Sequence, residues 1–125
     1  MVVLDEAPDG VVTLRFGPPD APDDEVDYFR ALDRIAQWPV PFALITVFAA
    51  RGKLSPEADR NQALWFKATR ARLNETCRAL AIVRPGDPAR SAQVFGKLWS
   101  FPVAVFEDEA EAQAFLAPHV PGRQA

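Results

Sequence analysis

One cysteine, one histidine and one tyrosine in 125 residues leave little material for several kinds of chemistry. Cys77 has no partner for an intramolecular disulfide, so the fold is expected to stand on its core alone. His119 is solitary, set between Pro118 and Val120, and a metal centre or a Ser/His or Cys/His dyad lacks support around it. No nucleophile elbow or phosphate loop occurs anywhere along the chain. The acidic run at residues 20–27 lacks the glycine and ligand spacing of a calcium loop, and charges at a helix start account for it. Long hydrophobic runs are missing too: the longest, residues 40–50, contains Pro41 and Thr46 and falls short of the roughly 20 residues needed to cross a bilayer. The N-terminus shows no basic-then-apolar signal pattern, so a soluble, cytoplasmic protein without metal or cofactor is expected, and not an enzyme.

What is present is an ordinary globular composition, 49% hydrophobic and 25% charged, on a chain long enough for one core. A single domain over residues 1–120 is expected, as monomer or homodimer, with a loose tail at 121–125. The twelve prolines punctuate elements rather than lying inside them. Net charge is −3 but unevenly spread: residues 1–33 hold nine acids and two bases, 34–106 four and eleven, and 107–125 four and one. A basic middle between acidic ends can cancel on folding, which is a plainer reading than a nucleic-acid stripe.

Periodicity orders the elements. Val2-Val3-Leu4 and residues 11–16 are β-rich runs around the turn signal Pro8-Asp9-Gly10 and predict a hairpin. Acids at Asp23 and Asp24 open a helix whose Tyr28, Phe29, Leu32, Ile35 and Ala36 share a face, stopped by Trp38-Pro39. Residues 42–48, FALITVF, are apolar on both faces and predict the sheet's central strand, covered on each side. Ser55-Pro56-Glu57 gives an N-cap with proline at the first helical position. In the long helix that follows, Ala58, Gln62, Trp65, Phe66, Thr69, Leu73, Thr76 and Cys77 form one inward stripe, with Arg60, Lys67, Asn74 and Arg78 opposite. Residues 80–83 predict a further buried strand, and Ala92, Phe95, Leu98 and Trp99 a short helix. Residues 101–116, FPVAVFEDEAEAQAFL, then combine an apolar strand, a charged turn in which Asp108 and Glu111 have capping-box spacing, and a helix that buries Ala112, Phe115 and Leu116 before Pro118. The fold class is α/β: a mixed, mostly parallel five-stranded sheet with about four helices.

This element order, closed by VAVFEDEAEAQAFL, resembles the STAS-like domains related to the bacterial anti-sigma-factor antagonists, the SpoIIAA-like group. In that group a strand ending in Phe and an acidic turn leads into a helix with an Ala-rich start and an aromatic-Leu end. The likeness covers the whole chain as an order of elements and rests on particular residues at 103–116 and 42–48. It implies a signalling role through protein binding or, as in relatives sharing the lipid-carrier fold, the holding of an apolar ligand. The antagonists carry their switch as a phosphorylated Ser or Thr in an Asp-Ser-Ser/Thr-Gly type stretch after the central strand. This chain has Ala49-Ala50-Arg51-Gly52 there, and its nearest hydroxyl is Ser55, followed by Pro56.

Three candidate sites follow, each beside a plainer reading. Ser55 at a helix N-terminus, with Arg51 and Lys53 nearby, suits phosphate or another anion, or is simply the cap. Arg60, Leu64, Lys67, Arg70 and Ala71, with Arg78, make a mixed basic-apolar face that suits an acidic protein partner better than nucleic acid, or is simply solvated. Trp65, Phe66, Phe95, Trp99 and Phe101 suit an apolar pocket for a lipid or other small molecule, or are ordinary core. Cys77, inward near a helix C-terminus, is expected to be an inert buried thiol.

Overall fold

Pro8 and Asp9 form the predicted turn, closed by Gly10 N–H donating to Ala7 O at 3.0 Å. The computed structural model describes residues 1–17, 22–48, 55–84 and 99–121. Gly10 takes φ +97° and lies against the Pro121 ring, so a side chain there meets both backbone strain and a close neighbour. The turn joins β1 (Val2–Glu6) antiparallel to β2 (Val11–Phe16). The sheet continues with β3 (Phe42–Phe48), β4 (Cys77–Val83) and β5 (Val103–Phe106), each parallel to the strand before it, in the spatial order β1-β2-β3-β4-β5. β3 is thus the middle strand, as its two-sided apolarity predicts. The class is α/β with a mixed, mostly parallel five-stranded sheet.

Alternate strand residues serve two separate cores. On one face Val12, Leu14, Phe42, Leu44, Leu80 and Ile82 pack with Tyr28, Leu32 and Ile35 of α1 (Asp24–Ala36) and Leu73 of α2 (Pro56–Thr76). On the other, Val11, Ala43, Ile45, Val47, Ala79, Ala81 and Val83 receive Ala112 and Leu116 of α3 (Glu109–Leu116) and Val120 beyond the 3-10 turn Ala117–His119. The small Ala43, Ala79 and Ala81 side chains let α3 approach the sheet closely. These three α-helices are those of the described residues. The short helix expected around Ala92 and Phe95 lies outside them, as do residues 122–125 of the expected tail.

The sequence carries the α2 stripe one element too far. The helix ends at Thr76, and Cys77 and Arg78 belong to β4. The pairs Phe42–Cys77 and Leu44–Leu80 enclose one residue on β3 but two on β4, so the ladder shifts register there. The extra residue lets Cys77 and Leu80 share a core face while Arg78 turns to solvent. Arg78 is therefore not part of the basic helix face.

Candidate functional site

α2 carries most of the candidate residues and is held at three points. At its start Ser55 Oγ accepts from Ala58 N–H at 3.1 Å, satisfying one of the free first-turn donors. The same hydroxyl donates to Glu25 Oε1 of α1 at 2.8 Å, and Ser55 N–H donates to Glu25 Oε2 at 3.2 Å. In mid-helix Tyr28 Oη donates to Gln62 Oε1 at 3.2 Å. Near its end Arg72 Nε and Nη2 reach Ala36 O at 2.9 Å and Trp38 O at 3.3 Å, so a cation from α2 closes the C-terminus of α1. The sequence shows Arg72 only as one more base, because its partner is thirty-six residues away.

Ser55 is thus the cap, and the charged side chain that meets it among the described residues, Glu25, has the wrong sign for an anion. A phosphoryl group on Oγ would meet the Glu25 carboxylate at hydrogen-bond distance. Arg51 and Lys53, the two bases assigned to this position, lie outside the described residues. Ser55→Ala is expected to lose about 1 kcal/mol of stability, the ordinary worth of an N-cap, measured as a lowered urea midpoint with unchanged slope.

Arg60, Leu64, Lys67 and Ala71 follow at i, i+4, i+7 and i+11 and lie exposed along one line of α2, with Arg70 on its flank. Leu64 is 59% exposed, the most open of the large hydrophobic side chains among the described residues. Ala63 and Ala68 are exposed beside it. The surface is therefore a leucine among small residues, bordered by three cations.

The inward side of α2 gathers rings. Trp65 and Phe66 centroids lie 5.4 Å apart, Phe66 and Trp99 5.3 Å apart, and Trp99 stacks on Phe101 at 5.3 Å. Phe95, assigned to the same group, lies outside the described residues. Trp65 Nε1 and Trp99 Nε1 are buried without a hydrogen-bond acceptor among the described residues.

Other chemistry is structural. Burial pushes the Cys77 thiol up to about 12, overcoming hydrogen bonds from backbone that favour the thiolate, so the anion is nearly absent at neutral pH. His119 lies against Phe115, with ring centroids 5.7 Å apart. No group of three or more His, Cys, Asp or Glu side chains among the described residues is arranged to hold a metal ion. No helix among them is long and apolar enough to cross a membrane. The charged turn before α3 does more than cap. Asp108 Oδ1 accepts from Ala110 N–H at 2.8 Å, while Glu109 forms a two-pronged pair with Arg15 of β2, Nη1 to Oε2 at 3.1 Å and Nη2 to Oε1. Hydrogen bonding to Arg15 holds the Glu109 carboxyl below the usual carboxylate range, against the smaller opposing effect of burial.

A groove with no signal in the sequence runs past the C-terminal end of α1, with a volume of about 550 Å³. Glu6, Asp33, Arg34, Gln37, Trp38 and Val40 line it, and Arg34 lies over the Trp38 ring at 5.3 Å. Its charges are of both signs and its one large ring is already covered by Arg34, which leaves no convergent set of groups for a ligand. Comparison with protein families, with curated proteins and with solved structures finds no match for the chain.

Proposed function

We propose that this chain is a non-enzymatic, regulatory domain of the STAS-like kind, which binds a protein partner through the outer face of α2 and the preceding residues 49–55, of which 49–54 lie outside the described residues. The observation that carries the reading is Leu64, exposed to 59% on a helix whose neighbouring turns offer small side chains and cations. Solvating such a face needs no leucine, whereas a partner that covers it gains apolar contact at the centre and charge pairing at the rim. Arg60, Lys67 and Arg70 favour a partner whose contact surface is acidic. A nucleic-acid backbone fits less well, since the chain as a whole is negative and phosphates gain nothing from Leu64. The element order and the mixed sheet are compatible with a STAS-like scaffold, and the described residues hold no convergent acid-base or nucleophilic group, which favours binding over catalysis.

Leu64→Asp is expected to weaken partner binding at least tenfold, the effect of about 1.4 kcal/mol, while the melting temperature stays within about 2 °C of the parent because the side chain packs on nothing essential. Immobilised parent and variant compared for capture from the native host, at low and high salt, would check both parts. Equal capture by the two proteins removes the reading. So does a large fall in melting temperature, which would place Leu64 in the core.

A further inference from the structure

Tryptophan offers one polar group, an indole N–H that only donates, and when buried it usually finds an acceptor. Two of the three tryptophans here do not. Trp65 Nε1 and Trp99 Nε1 are sealed from solvent, and neither meets an acceptor among the described residues. Each unpaired donor costs about 1–3 kcal/mol, so a pair of them is an unusual feature for packing alone to produce. They are not scattered. Both indoles lie against Phe66, edge-on to its ring, and Phe101 lies nearly parallel to Trp99 at an interplanar angle of 18°.

The arrangement has a buried centre and a partly open frame. Trp99 is 7% exposed, whereas Trp65, Phe66 and Phe101 are only half-buried. Flat apolar matter can be added to such rings by stacking. The polar groups within reach decide the rest. The cations of α2 do not serve the cluster: Arg60, Lys67 and Arg70 are exposed on other faces of the helix, and Arg72 is committed to the end of α1. Among the described residues, a carboxylate brought here would lose its water and gain only neutral donors. A plain hydrocarbon would leave both N–H groups unpaired.

We infer that the ring cluster of Trp65, Phe66, Trp99 and Phe101 is a binding site for an uncharged aromatic molecule bearing a carbonyl oxygen, with its ring stacked in the frame and its oxygen accepting from the indole N–H groups. Entry requires the half-buried rings to turn, a side-chain adjustment of the kind binding commonly brings. The site lies on the inward side of α2, so it is independent of the protein contact assigned to the outer face.

Three probes of one shape separate the chemistries: 2-acetylnaphthalene, which has the carbonyl; 2-ethylnaphthalene, which lacks it; and 2-naphthoate, which carries charge. Each is titrated into the full-length, nitrogen-15-labelled protein while the three indole N–H resonances are followed, with Trp38 as the internal reference. The ketone is expected to move the Trp65 and Trp99 resonances downfield, leave Trp38 in place, and bind at least about tenfold more tightly than either comparator, the ratio one good hydrogen bond gives. Trp99→Phe and Trp65→Phe keep a ring and delete a donor. Each is expected to lower the ketone's preference over ethylnaphthalene while the melting temperature stays level or rises. Leu64→Asp should bind the ketone as the parent does. The proposal is overturned if the ketone moves neither resonance up to its solubility limit, if ethylnaphthalene or naphthoate binds as tightly, or if the preference survives in both Phe variants.

Discussion

Phe42→Ala is expected to destabilise the domain by about 3–5 kcal/mol, the range for removing a buried phenylalanine. Phe42 is fully buried at the first position of the central strand. Its ring meets Trp38 edge-on at 6.2 Å, just beyond the end of α1, and its backbone pairs with Cys77 where the β3–β4 ladder shifts register. One side chain therefore joins the end of α1, the start of β3 and the bulge of β4. Phe42 belongs to a cluster of buried side chains on the α1 side of the sheet, and the part of its volume that they do not refill adds to the loss. Domains of this size are stable by about 5–15 kcal/mol in total, and the melting temperature should fall by about 10–20 °C. Urea denaturation of parent and variant would show the change as a lower midpoint with unchanged slope. A loss under 1 kcal/mol would mean that the bulge relaxes freely and that Phe42 does not bind these elements together.

How much of this was legible in the sequence depends on whether a feature is local. The hairpin at Pro8-Asp9-Gly10, the Ser55-Pro56 helix start and the Asp108 cap are each written within four neighbouring residues, and each is found where the pattern puts it. β3 was legible as the central strand because six apolar residues and one threonine in succession have no wet face. The end of α2 was not. Thr76 passes into Cys77 with no glycine, proline or turn between helix and strand, so the helical stripe runs on through residues that belong to β4. Arg78 was lost from the basic face for that reason.

Features that depend on pairing between distant elements were invisible for a different cause. Glu25 with Ser55, Arg72 with the backbone at the end of α1, and Arg15 with Glu109 are contacts between groups 30 to 94 residues apart. Each charge looks solvated until the sheet order fixes its neighbours. The Glu25 contact changes the meaning of the candidate anion site, since the hydroxyl that the sequence offers to a phosphate already faces a carboxylate. The indole N–H groups teach the converse. Their aromatic setting is legible as periodicity, but the lack of an acceptor is a property of three-dimensional packing.

Leu116→Ala is expected to cost about 2–5 kcal/mol, against less than about 0.5 kcal/mol for Leu64→Ala, the usual effect at the surface. Both are helix leucines in a mixed charged and apolar sequence, and composition does not tell them apart. Leu116 is fully buried at the end of α3, against the face of β3 and β4 whose Ala43, Ala79 and Ala81 leave room for it. The second core is narrow: among the described residues α3, its following turn and Val120 are what close that side of the sheet. Removing the leucine thus empties a site bounded by strands held in register on both sides, while the Glu109 pair with Arg15 and the Asp108 cap keep the other end of α3 in place. The helix cannot simply settle into the space. Chemical denaturation of both alanine variants beside the parent would give the two values. Similar losses at Leu116 and Leu64 would contradict the placement of both, and would remove with it the argument that an uncovered leucine on α2 is kept for a partner rather than for the fold.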